Sequence, residues 1–286
     1  MPDPVRDRVV LITGATSGIG RSAAFALARE GAHLLLVSRN RERGEGVVSG
    51  ITRQTGNPRV ELLVADLSSL AEIRTLASGV RSAHPVIDVL INNAGLIIPR
   101  RTLTPEGIEA TFALNHLGYF LLTNLLLEPL KSARSARIVN VASQAHKPGA
   151  IDFDDLFFEK RYNPFEAYAR SKLANILFTY ELAGRLQGTR VAVNALHPGG
   201  VRTNFGNDLT GAAGALYRGL KIFMRRAEKG AETVVWLATS PEVEGVTGKY
   251  FYDMKEIRSS PVSYDGALAK RLWDVSAQLT HLGGIP

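Results

Sequence analysis

The sequence predicts an α/β fold in which one doubly wound parallel sheet carries helices on both faces. Apolar runs rich in valine, isoleucine and leucine alternate along the chain with amphipathic stretches of helical spacing. The apolar runs are continuous rather than alternating, which is typical of strands buried on both faces of a parallel sheet. Strands that alternate with helices favour βαβ units and therefore a single layered domain.

The periodicity places strands and helices in regular order. Strands are predicted at 8–13, 33–38, 60–64, 86–92, 136–142, 190–195 and, after the turn-forming Gly245 and Gly248, at 249–252. Helices are predicted at 18–30, 41–55, 70–83, 106–131, 164–187 and 228–240. We expect right-handed crossovers and a ligand at the carboxyl ends of the strands, near the point where the strand order reverses.

The composition and charge of the chain argue against several classes of protein and of site. Residues 1–286 contain no linker-like segment, so we expect one domain. The chain has no cysteine, and its six histidines lack short metal-ligand spacings, so we predict no disulfide and no metal. The formal charge is +7, but the basic residues are dispersed, which argues against nucleic acid and suits an anionic cofactor. No apolar run reaches the roughly 18 residues of a membrane span, and we expect a cytoplasmic protein.

The segment 200–226 is expected to cover the substrate, because it is rich in apolar side chains and glycine. Within it, apolar and cationic positions interleave at 216–226. That pattern fits either peripheral contact with a membrane or a helix that packs over the active site. Leu96, Ile97 and Ile98 are expected to add an apolar wall to the substrate site. His146 is expected either to line the pocket or to be exposed on a loop.

A glycine-rich turn follows the first predicted strand and opens the first predicted helix. Its sequence is Thr13-Gly14-Ala15-Thr16-Ser17-Gly18-Ile19-Gly20. Glycines allow a tight turn and let backbone N–H groups approach a pyrophosphate, whose charge the helix amino terminus favours. The position favours a dinucleotide site over a plain strand-to-helix turn.

The second predicted strand ends at Ser38-Arg39, where an enzyme that prefers NAD usually has Asp or Glu for the ribose hydroxyl. An arginine can pair with a 2′-phosphate, so the sequence predicts NADP(H). The alternative is that Arg39 is a surface residue that caps the next helix.

Two further strand ends carry residues suited to a nucleotide. Asp66 and Leu67 follow the third strand, where the carboxylate either meets an adenine amino group or caps the next helix. Asn93, Ala94 and Gly95 end the fourth strand, where small residues let the backbone pass close to a ribose. An ordinary asparagine–glycine turn is the alternative.

Tyr168 and Lys172 have the four-residue spacing that stacks two side chains on one face of a helix. A free tyrosine has a pKa of about 10, and a nearby lysine cation favours the phenolate. The pair therefore predicts proton transfer near neutral pH. Ser143, at the end of the fifth strand, lies upstream of the tyrosine.

In this order, the glycine motif, Asn-Asn-Ala-Gly, the strand-end serine, Tyr-x-x-x-Lys and Pro198-Gly199 resemble the short-chain dehydrogenase/reductase family over residues 6–253. The resemblance implies one Rossmann-type domain, commonly with seven parallel strands. It implies that Asn115 holds a water for a proton relay and that Ser143 hydrogen-bonds the substrate carbonyl. It further implies that Tyr168 donates the proton, while Lys172 binds the nicotinamide ribose and lowers the tyrosine pKa.

The cofactor contacts follow from the turn, the strand ends and the resemblance together. Pro198, Gly199 and Thr203 match the segment that contacts the nicotinamide in the family. Family members often pair the helices predicted at 106–131 and 164–187 across subunits, which implies a homo-oligomer. The expected NADP(H) site comprises Gly14, Thr16, Ser17, Gly18, Ile19, Gly20, Ser38, Arg39, Asp66, Leu67, Asn93, Ala94, Gly95, Tyr168, Lys172, Pro198, Gly199, Val201 and Thr203.

Within the family, the stretches 151–156, 162–165, 168–178 and 267–273 are similar to the retinol-dehydrogenase-like branch. That branch interconverts retinoids and other lipophilic alcohols and carbonyls, usually with NADP(H), which implies the same reaction here with Tyr168 as general acid and base. Animal members often carry an N-terminal anchor that is absent here, and Asn-Thr in place of Thr16-Ser17, so we expect a soluble relative. The alternatives are a nonenzymatic NADP(H) sensor and an epimerase or dehydratase that uses the same tyrosine and lysine.

Overall fold

The computed structural model describes residues 5–201 and 225–283, which fold around one sheet of eight strands. The strand order is β3-β2-β1-β4-β5-β6-β7-β8, and all neighbours are parallel except β7 and β8. The predicted fold class is confirmed. The strands are β1 (Val9–Thr13), β2 (His33–Ser38), β3 (Val60–Val64), β4 (Val89–Asn92), β5 (Ala136–Val141), β6 (Val191–Leu196), β7 (Lys249–Tyr252) and β8 (Lys255–Glu256).

Helices cover both faces of the sheet. Their bounds are α1 (Gly18–Arg29), α2 (Arg41–Thr55), α3 (Leu70–Ala83), α4 (Ala110–Phe112), α5 (Gly118–Leu125), α6 (Leu127–Ser132), α7 (Pro164–Arg185), α8 (Ala227–Thr239) and α9 (Gly266–Leu279). Helices α1, α2 and α8 lie on one face, while α3, α5, α7 and α9 lie on the other. None of these helices is both long and apolar enough to span a membrane, as judged over residues 5–201 and 225–283.

The central strands contribute side chains to two separate cores. In β1, Leu11 joins the core under α3, α5 and α7, whereas Val10 and Ile12 join the core under α1 and α8. Successive residues of a strand point to opposite faces, so a strand buried on both faces must be apolar at every position. This explains the continuous apolar runs in the sequence.

The strand order reverses at β1, which pairs with β2 on one side and with β4 on the other. The loops after β1 and β4 therefore diverge toward opposite faces of the sheet and leave a crevice at the carboxyl ends of these strands. The glycine-rich turn and the Asn93–Gly95 segment follow these two strands directly.

The helix predicted at 106–131 is wrong as one continuous element. Gly107 has a positive φ of 78° in a turn before α4. A π-helical segment, Ala113–Leu117, then separates α4 from α5. Helix α5 ends at Leu125, because Pro129 has no N–H to donate to the Leu125 carbonyl.

Two elements at the carboxyl end of the chain were not predicted, the short strand β8 and the helix α9. Helix α9 packs on α7 and closes the core through Trp273. The indole of Trp273 stacks on Phe178, with ring centroids 5.9 Å apart, and contacts Phe120 edge-on at 4.9 Å. The tail thus fixes the outer side of the helix that carries Tyr168.

Candidate active site

The glycine-rich turn after β1 is locked to the end of β4 by hydrogen bonds. The Thr13 hydroxyl oxygen accepts from the N–H groups of Asn93 at 2.8 Å and Ala94 at 3.1 Å. In return, the Asn93 amide donates to the carbonyls of Thr13 at 2.9 Å and Gly14 at 3.2 Å. The Asn93 side chain therefore connects, through hydrogen bonds, the two loops that border the crevice.

Two glycines of this turn have no room for a side chain. A Cβ atom on Gly20 would lie 2.4 Å from the Asn93 amide nitrogen and 2.5 Å from the Gly14 carbonyl. Gly14 has a φ of 66°, and a Cβ there would lie 2.8 Å from the Ala94 Cα. Glycine at these positions thus allows the two loops to approach closely.

The amino terminus of α1 is open to an anion. Ser17 occupies the N-cap position, but its side chain makes no capping hydrogen bond, and the first turn contains no acidic residue. The first N–H groups of a helix lack intrahelical partners and carry a partial positive charge. The residues here fit a pyrophosphate group better than they fit a self-capped helix.

At the end of β2, Ser38 is buried and Arg39 is exposed. The Ser38 hydroxyl donates to the Asn40 carbonyl at 2.9 Å, and Asn40 caps α2 by accepting from the Arg43 N–H at 2.8 Å. The alternative in which Arg39 caps this helix is therefore wrong. Within the described part of the chain, the Arg39 guanidinium makes no hydrogen bond or ion pair.

Asp66, after β3, closes a tight turn. Its Oδ1 accepts from the N–H of Ser68 at 2.8 Å and from the Ser68 hydroxyl at 2.7 Å. The N-cap of α3 is Ser69, whose hydroxyl accepts from the Glu72 N–H, so Asp66 does not cap the helix. Leu67 is buried under this turn.

Lys172 is a buried titratable group at the crevice. It lies one helical turn after the half-buried Tyr168 in α7, and its Nζ is 5.7 Å from the Tyr168 ring centroid. The ammonium donates to the Val141 carbonyl at 2.9 Å. Burial lowers the pKa of Lys172 from 10.5 to about 7. In the absence of other ligands, its charge is therefore partly lost at neutral pH.

Asn115 lies in the π-helical segment, a local geometry that often marks functional positions. Its amide binds both backbone groups of Leu96, accepting from the N–H and donating to the carbonyl, each at 2.9 Å. The same amide donates to the Ser171 hydroxyl at 3.0 Å. A Cβ on Gly95 would lie 3.3 Å from both Asn115 Oδ1 and Lys172 Nζ. Three sequence-predicted positions thus meet at one point.

Ser143 follows β5 and is half-buried. Its hydroxyl oxygen accepts from the Ala145 N–H at 3.2 Å, which starts the short turn Gln144–His146. This loop lies directly against α7, because a Cβ on Gly149 would lie 2.6 Å from the Ala169 carbonyl. The loop therefore holds Ser143 beside the helix that carries Tyr168 and Lys172.

His146 is fully buried, so the expectation that it is exposed on a loop is wrong. Its Nδ1 donates to the Ser143 carbonyl at 2.7 Å, and its Nε2 accepts from the Ser260 N–H at 3.0 Å. These two bonds require the neutral ring with its proton on Nδ1. Burial lowers the pKa of His146, which agrees with that state.

A cavity of about 250 Å³ adjoins the Ser143 loop. His197, after β6, stacks on Tyr252 with ring centroids 4.2 Å apart, and burial lowers its pKa to about 4. Sequence reasoning missed His197, Tyr250 and Tyr252, although all three lie at or beside the carboxyl ends of predicted strands. The cavity is lined by Gln144, His146, Lys147, His197, Tyr250, Tyr252 and Ile257.

The predicted nicotinamide segment is described only in part. Pro198 and Gly199 follow β6. Gly199 has a φ of 79°, and a Cβ placed there would lie 3.3 Å from the Tyr252 ring. Val201 is buried and pairs with Arg225, while Ile19 packs nearby under Gly230. Thr203 lies outside the described residues. So do residues 202–224 of the segment that is expected to cover the substrate, which include most of 216–226.

The apolar residues after β4 are divided between site and core. Leu96 and Ile98 are half-buried, whereas Ile97 is buried. The Ile98 carbonyl accepts from the Tyr162 hydroxyl at 2.7 Å, which anchors this segment. Leu96 and Ile98 remain available as an apolar wall, and Ile97 does not.

The chain is similar to short chain dehydrogenases in sequence and in fold. Residues 8–214 match the family model of the short chain dehydrogenases. Human retinol dehydrogenase 14 is 44% identical over 98% of this chain and 88% of its own length. A crystal structure of an uncharacterised protein from Mycobacterium paratuberculosis is 35% identical, with a TM-score of 0.78 over 96% of this chain and 94% of that chain. A short chain dehydrogenase from Escherichia coli CFT073, solved in complex with NADPH, is 28% identical, with a TM-score of 0.70 over 89% of this chain and 100% of that chain.

Proposed function

Because this chain belongs to the short-chain dehydrogenase/reductase family of oxidoreductases, in its retinol-dehydrogenase-like branch, we propose that it transfers a hydride between NADP(H) and a lipophilic alcohol or carbonyl compound. We propose further that the chain acts as one cofactor-binding catalytic domain. The observation that carries the proposal is the position of Lys172, buried at the ends of β4 and β5 and one helical turn from Tyr168.

The residues at the crevice fit the phosphate groups of a dinucleotide. The turn at Gly14 and Gly20 has no space for side chains, and the α1 amino terminus is not capped by a side chain. Asn93, Ala94 and Gly95 border the same crevice, and Asp66 and Leu67 follow β3, two strands away from β1. Pro198, Gly199 and Val201 follow β6, which lies on the opposite side of the crevice from β3.

Specificity for NADP(H) rests on Arg39. Its guanidinium is exposed at the end of β2, and no acidic residue stands at Ser38 or Arg39 to favour an unmodified ribose. A planar guanidinium binds phosphate through charge-assisted, bidentate hydrogen bonds. The NADPH complex of the similar E. coli protein supports this choice.

The nicotinamide supplies the hydride, and the protein supplies the proton and the electrostatic stabilisation. In the direction of reduction, we assign Tyr168 as the acid that protonates the substrate oxygen. The Ser143 hydroxyl donates to the same oxygen, which stabilises the charge that develops there. Both groups lie at the loop and helix that Gly149 brings together.

Lys172 and Asn115 lie next to Gly95 at the crevice, and we assign both to supporting roles in this chemistry. Burial lowers the pKa of Lys172 to about 7, and we assign its ammonium form to the cofactor ribose and to lowering the pKa of Tyr168. We assign Asn115 to the proton relay through a water. Its amide also fixes Leu96, and so holds the apolar wall in place.

The lipophilic substrate class is supported by the name of the human relative, a retinol dehydrogenase, and by the apolar Leu96 and Ile98. The test is an absorbance assay of the reduced nicotinamide, with purified protein, NADPH or NADH, and carbonyls that range from small ketones to long-chain aldehydes, retinal and steroids. We expect one NADPH oxidised for each lipophilic alcohol formed.

The same assay separates the two other candidate functions. NADPH binding without consumption on any carbonyl would favour a sensor and contradict the proposal. Conversion of a substrate without net consumption of NADPH would favour an epimerase or dehydratase. Within residues 5–201 and 225–283, no structural observation favours either alternative over the proposal.

A further inference from the structure

Three side chains of types that commonly ligate metals meet at the end of the sheet opposite the candidate active site. His33 is the first residue of β2, Glu61 is the second residue of β3, and His84 is the C-cap residue directly after α3. Strands β2 and β3 are parallel neighbours, so His33 and Glu61 both lie at amino ends of strands. The crevice described above lies at the carboxyl ends.

Both imidazoles direct the same ring nitrogen at one carboxylate. His33 Nε2 is 2.6 Å from Glu61 Oε1, and His84 Nε2 is 3.5 Å from Glu61 Oε2. The two rings are edge to face, with centroids 5.4 Å apart. All three ligand atoms lie within 4.8 Å of one another. Three separate elements therefore aim their donor atoms at one small volume.

Two imidazole nitrogens and one carboxylate oxygen form a donor set that Zn²⁺ prefers, and that Co²⁺ and Ni²⁺ accept. A tetrahedral ion with bonds of about 2.1 Å needs ligand atoms about 3.4 Å apart. The separations of 2.6 and 3.5 Å from the Glu61 carboxylate bracket that value. We propose that His33, Glu61 and His84 bind one divalent transition-metal ion, with water in the remaining position.

The burial of the three residues suits such a site. The side chain of His84 is 12% exposed, that of His33 25% and that of Glu61 45%, so the cluster opens to solvent on one side. A hydrated ion can enter there and keep a water ligand. The rest of each imidazole is held against the fold, which limits the entropy lost when the ion binds.

None of the other histidines belongs to this cluster. His116, His146 and His197 are buried, and His281 is exposed. Among residues 5–201 and 225–283, this is the one group of three histidine or acidic side chains with converging ligand atoms. The ligands are separated along the chain by 28 and 23 residues, so a search for short ligand spacings does not detect them.

The site is structural rather than catalytic, since it lies at the end of the sheet away from Tyr168. A metal ion there would join β2, β3 and the end of α3. An ion that binds only the folded state raises the free energy of unfolding by mass action. Binding should therefore raise the melting temperature and leave turnover unchanged.

The test uses full-length protein without a histidine tag, treated with a chelator and then titrated with Co²⁺ and with Zn²⁺. Absorbance in the visible d–d bands reports Co²⁺ coordination, and calorimetry reports the stoichiometry and affinity for Zn²⁺. We expect one ion per chain and a higher melting temperature. Glu61→Gln and His84→Ala should each weaken binding by more than about tenfold.

His281→Asn is the matched control, because it removes an exposed histidine and leaves the cluster intact. It should bind the ion as the wild type does. Melting curves without metal check that Glu61→Gln, which keeps an oxygen acceptor for His33, remains folded. Absence of saturable binding, or equal binding by wild type, Glu61→Gln and His84→Ala, would overturn the proposal.

Discussion

At the scale of the residue, the burial of Lys172 lowers the stability of the fold at a position that we assign to catalysis. Its folded pKa of about 7 is below the 10.5 of an unfolded lysine, because burial disfavours the ammonium. Between these values the unfolded chain binds one more proton, so the free energy of unfolding rises as the pH increases through that window. The cost of burying the ammonium is largest at and below neutral pH.

Lys172→Met should therefore stabilise the protein while inactivating it. Without cofactor at pH 7, we expect the free energy of unfolding to rise by about 1–3 kcal/mol, after allowance for the lost hydrogen bond to Val141. The gain should shrink as the pH approaches 10. Urea denaturation of both proteins at the two pH values measures it. A variant less stable than wild type at pH 7 would contradict the interpretation of Lys172.

We propose that Arg39 selects between the two nicotinamide cofactors. Arg39→Ala should lower the ratio of kcat/KM for NADPH to that for NADH by roughly tenfold or more, since one charge-assisted contact is lost. Arg53→Ala, at the exposed far end of α2, is the control and should leave the ratio unchanged. Steady-state kinetics with both cofactors provide the measurement. An unchanged ratio in Arg39→Ala would show that another group selects the phosphate.

His146 ties the Ser143 loop to the segment before α9. His146→Leu leaves the Ser143 carbonyl and the Ser260 N–H without their partner, and should cost about 2–4 kcal/mol of stability. Because Ser143 also shifts, kcat should fall more than KM changes when activity is measured well below the melting temperature. Unaltered kcat in a folded variant would show that the loop holds Ser143 without this histidine.

The loss of stability in His146→Leu should depend on pH, because the pKa of His146 is lowered in the folded protein. Burial lowers the folded pKa of His146 below its usual 6.5, so its stabilising bonds are present above that pH and weaken as the pH falls. Lys147, His197 and Tyr250 face the same ring. The difference in stability between wild type and His146→Leu should therefore narrow in acid, as denaturation at pH 7 and pH 5 can measure. A difference that stays constant would place the titration elsewhere.

At the scale of the element, the β1–α1 turn is the part of the site most tightly specified by glycine. Gly20→Ala places a methyl group 2.4 Å from the Asn93 amide and should lower the free energy of unfolding by about 2 kcal/mol or more. It should also weaken NADPH binding, since Asn93 holds the turn. Fluorescence titration with NADPH and urea denaturation give the two values.

Gly46→Ala is the matched control for that substitution. Gly46 is exposed in α2, and a Cβ there meets no atom within 4 Å. The substitution should raise the free energy of unfolding by about 0.5–1 kcal/mol through helix propensity. If both variants behaved alike, the close approach of the two loops would not be important to the fold.

Periodicity was sufficient to predict elements that are regular and failed where one is interrupted. Helices α2 and α3 begin and end at the predicted residues, as do strands β2, β3 and β7. The helix predicted at 106–131 is interrupted by a π-helical segment, which keeps the apolar pattern while shifting the hydrogen bonds by one residue. Helix α9 was not predicted, although its sequence is amphipathic.

At the scale of the whole molecule, topology brings together residues that the sequence separates. The predicted positions at Gly95, Asn115 and Lys172 meet because β4, the π-helical segment and α7 adjoin. By contrast, nothing in the sequence indicated that His146 reaches Ser260, which is 114 residues away. Contacts of that kind depend on loop geometry, which local patterns do not specify. The expected roles of the site residues and the expected homo-oligomer stay predictions.

The most direct test of the central claim is the rate of NADPH oxidation with a lipophilic aldehyde by wild type and Tyr168→Phe. Tyr180→Phe, on the same helix but hydrogen-bonded to Ser259, is the control. We predict that Tyr168→Phe lowers kcat by about 100-fold to 10,000-fold. NADPH affinity should be nearly unchanged, and Tyr180→Phe should stay active. Tyr168→Phe with wild-type turnover would contradict the assignment of Tyr168 as the acid and, with it, the proposed mechanism.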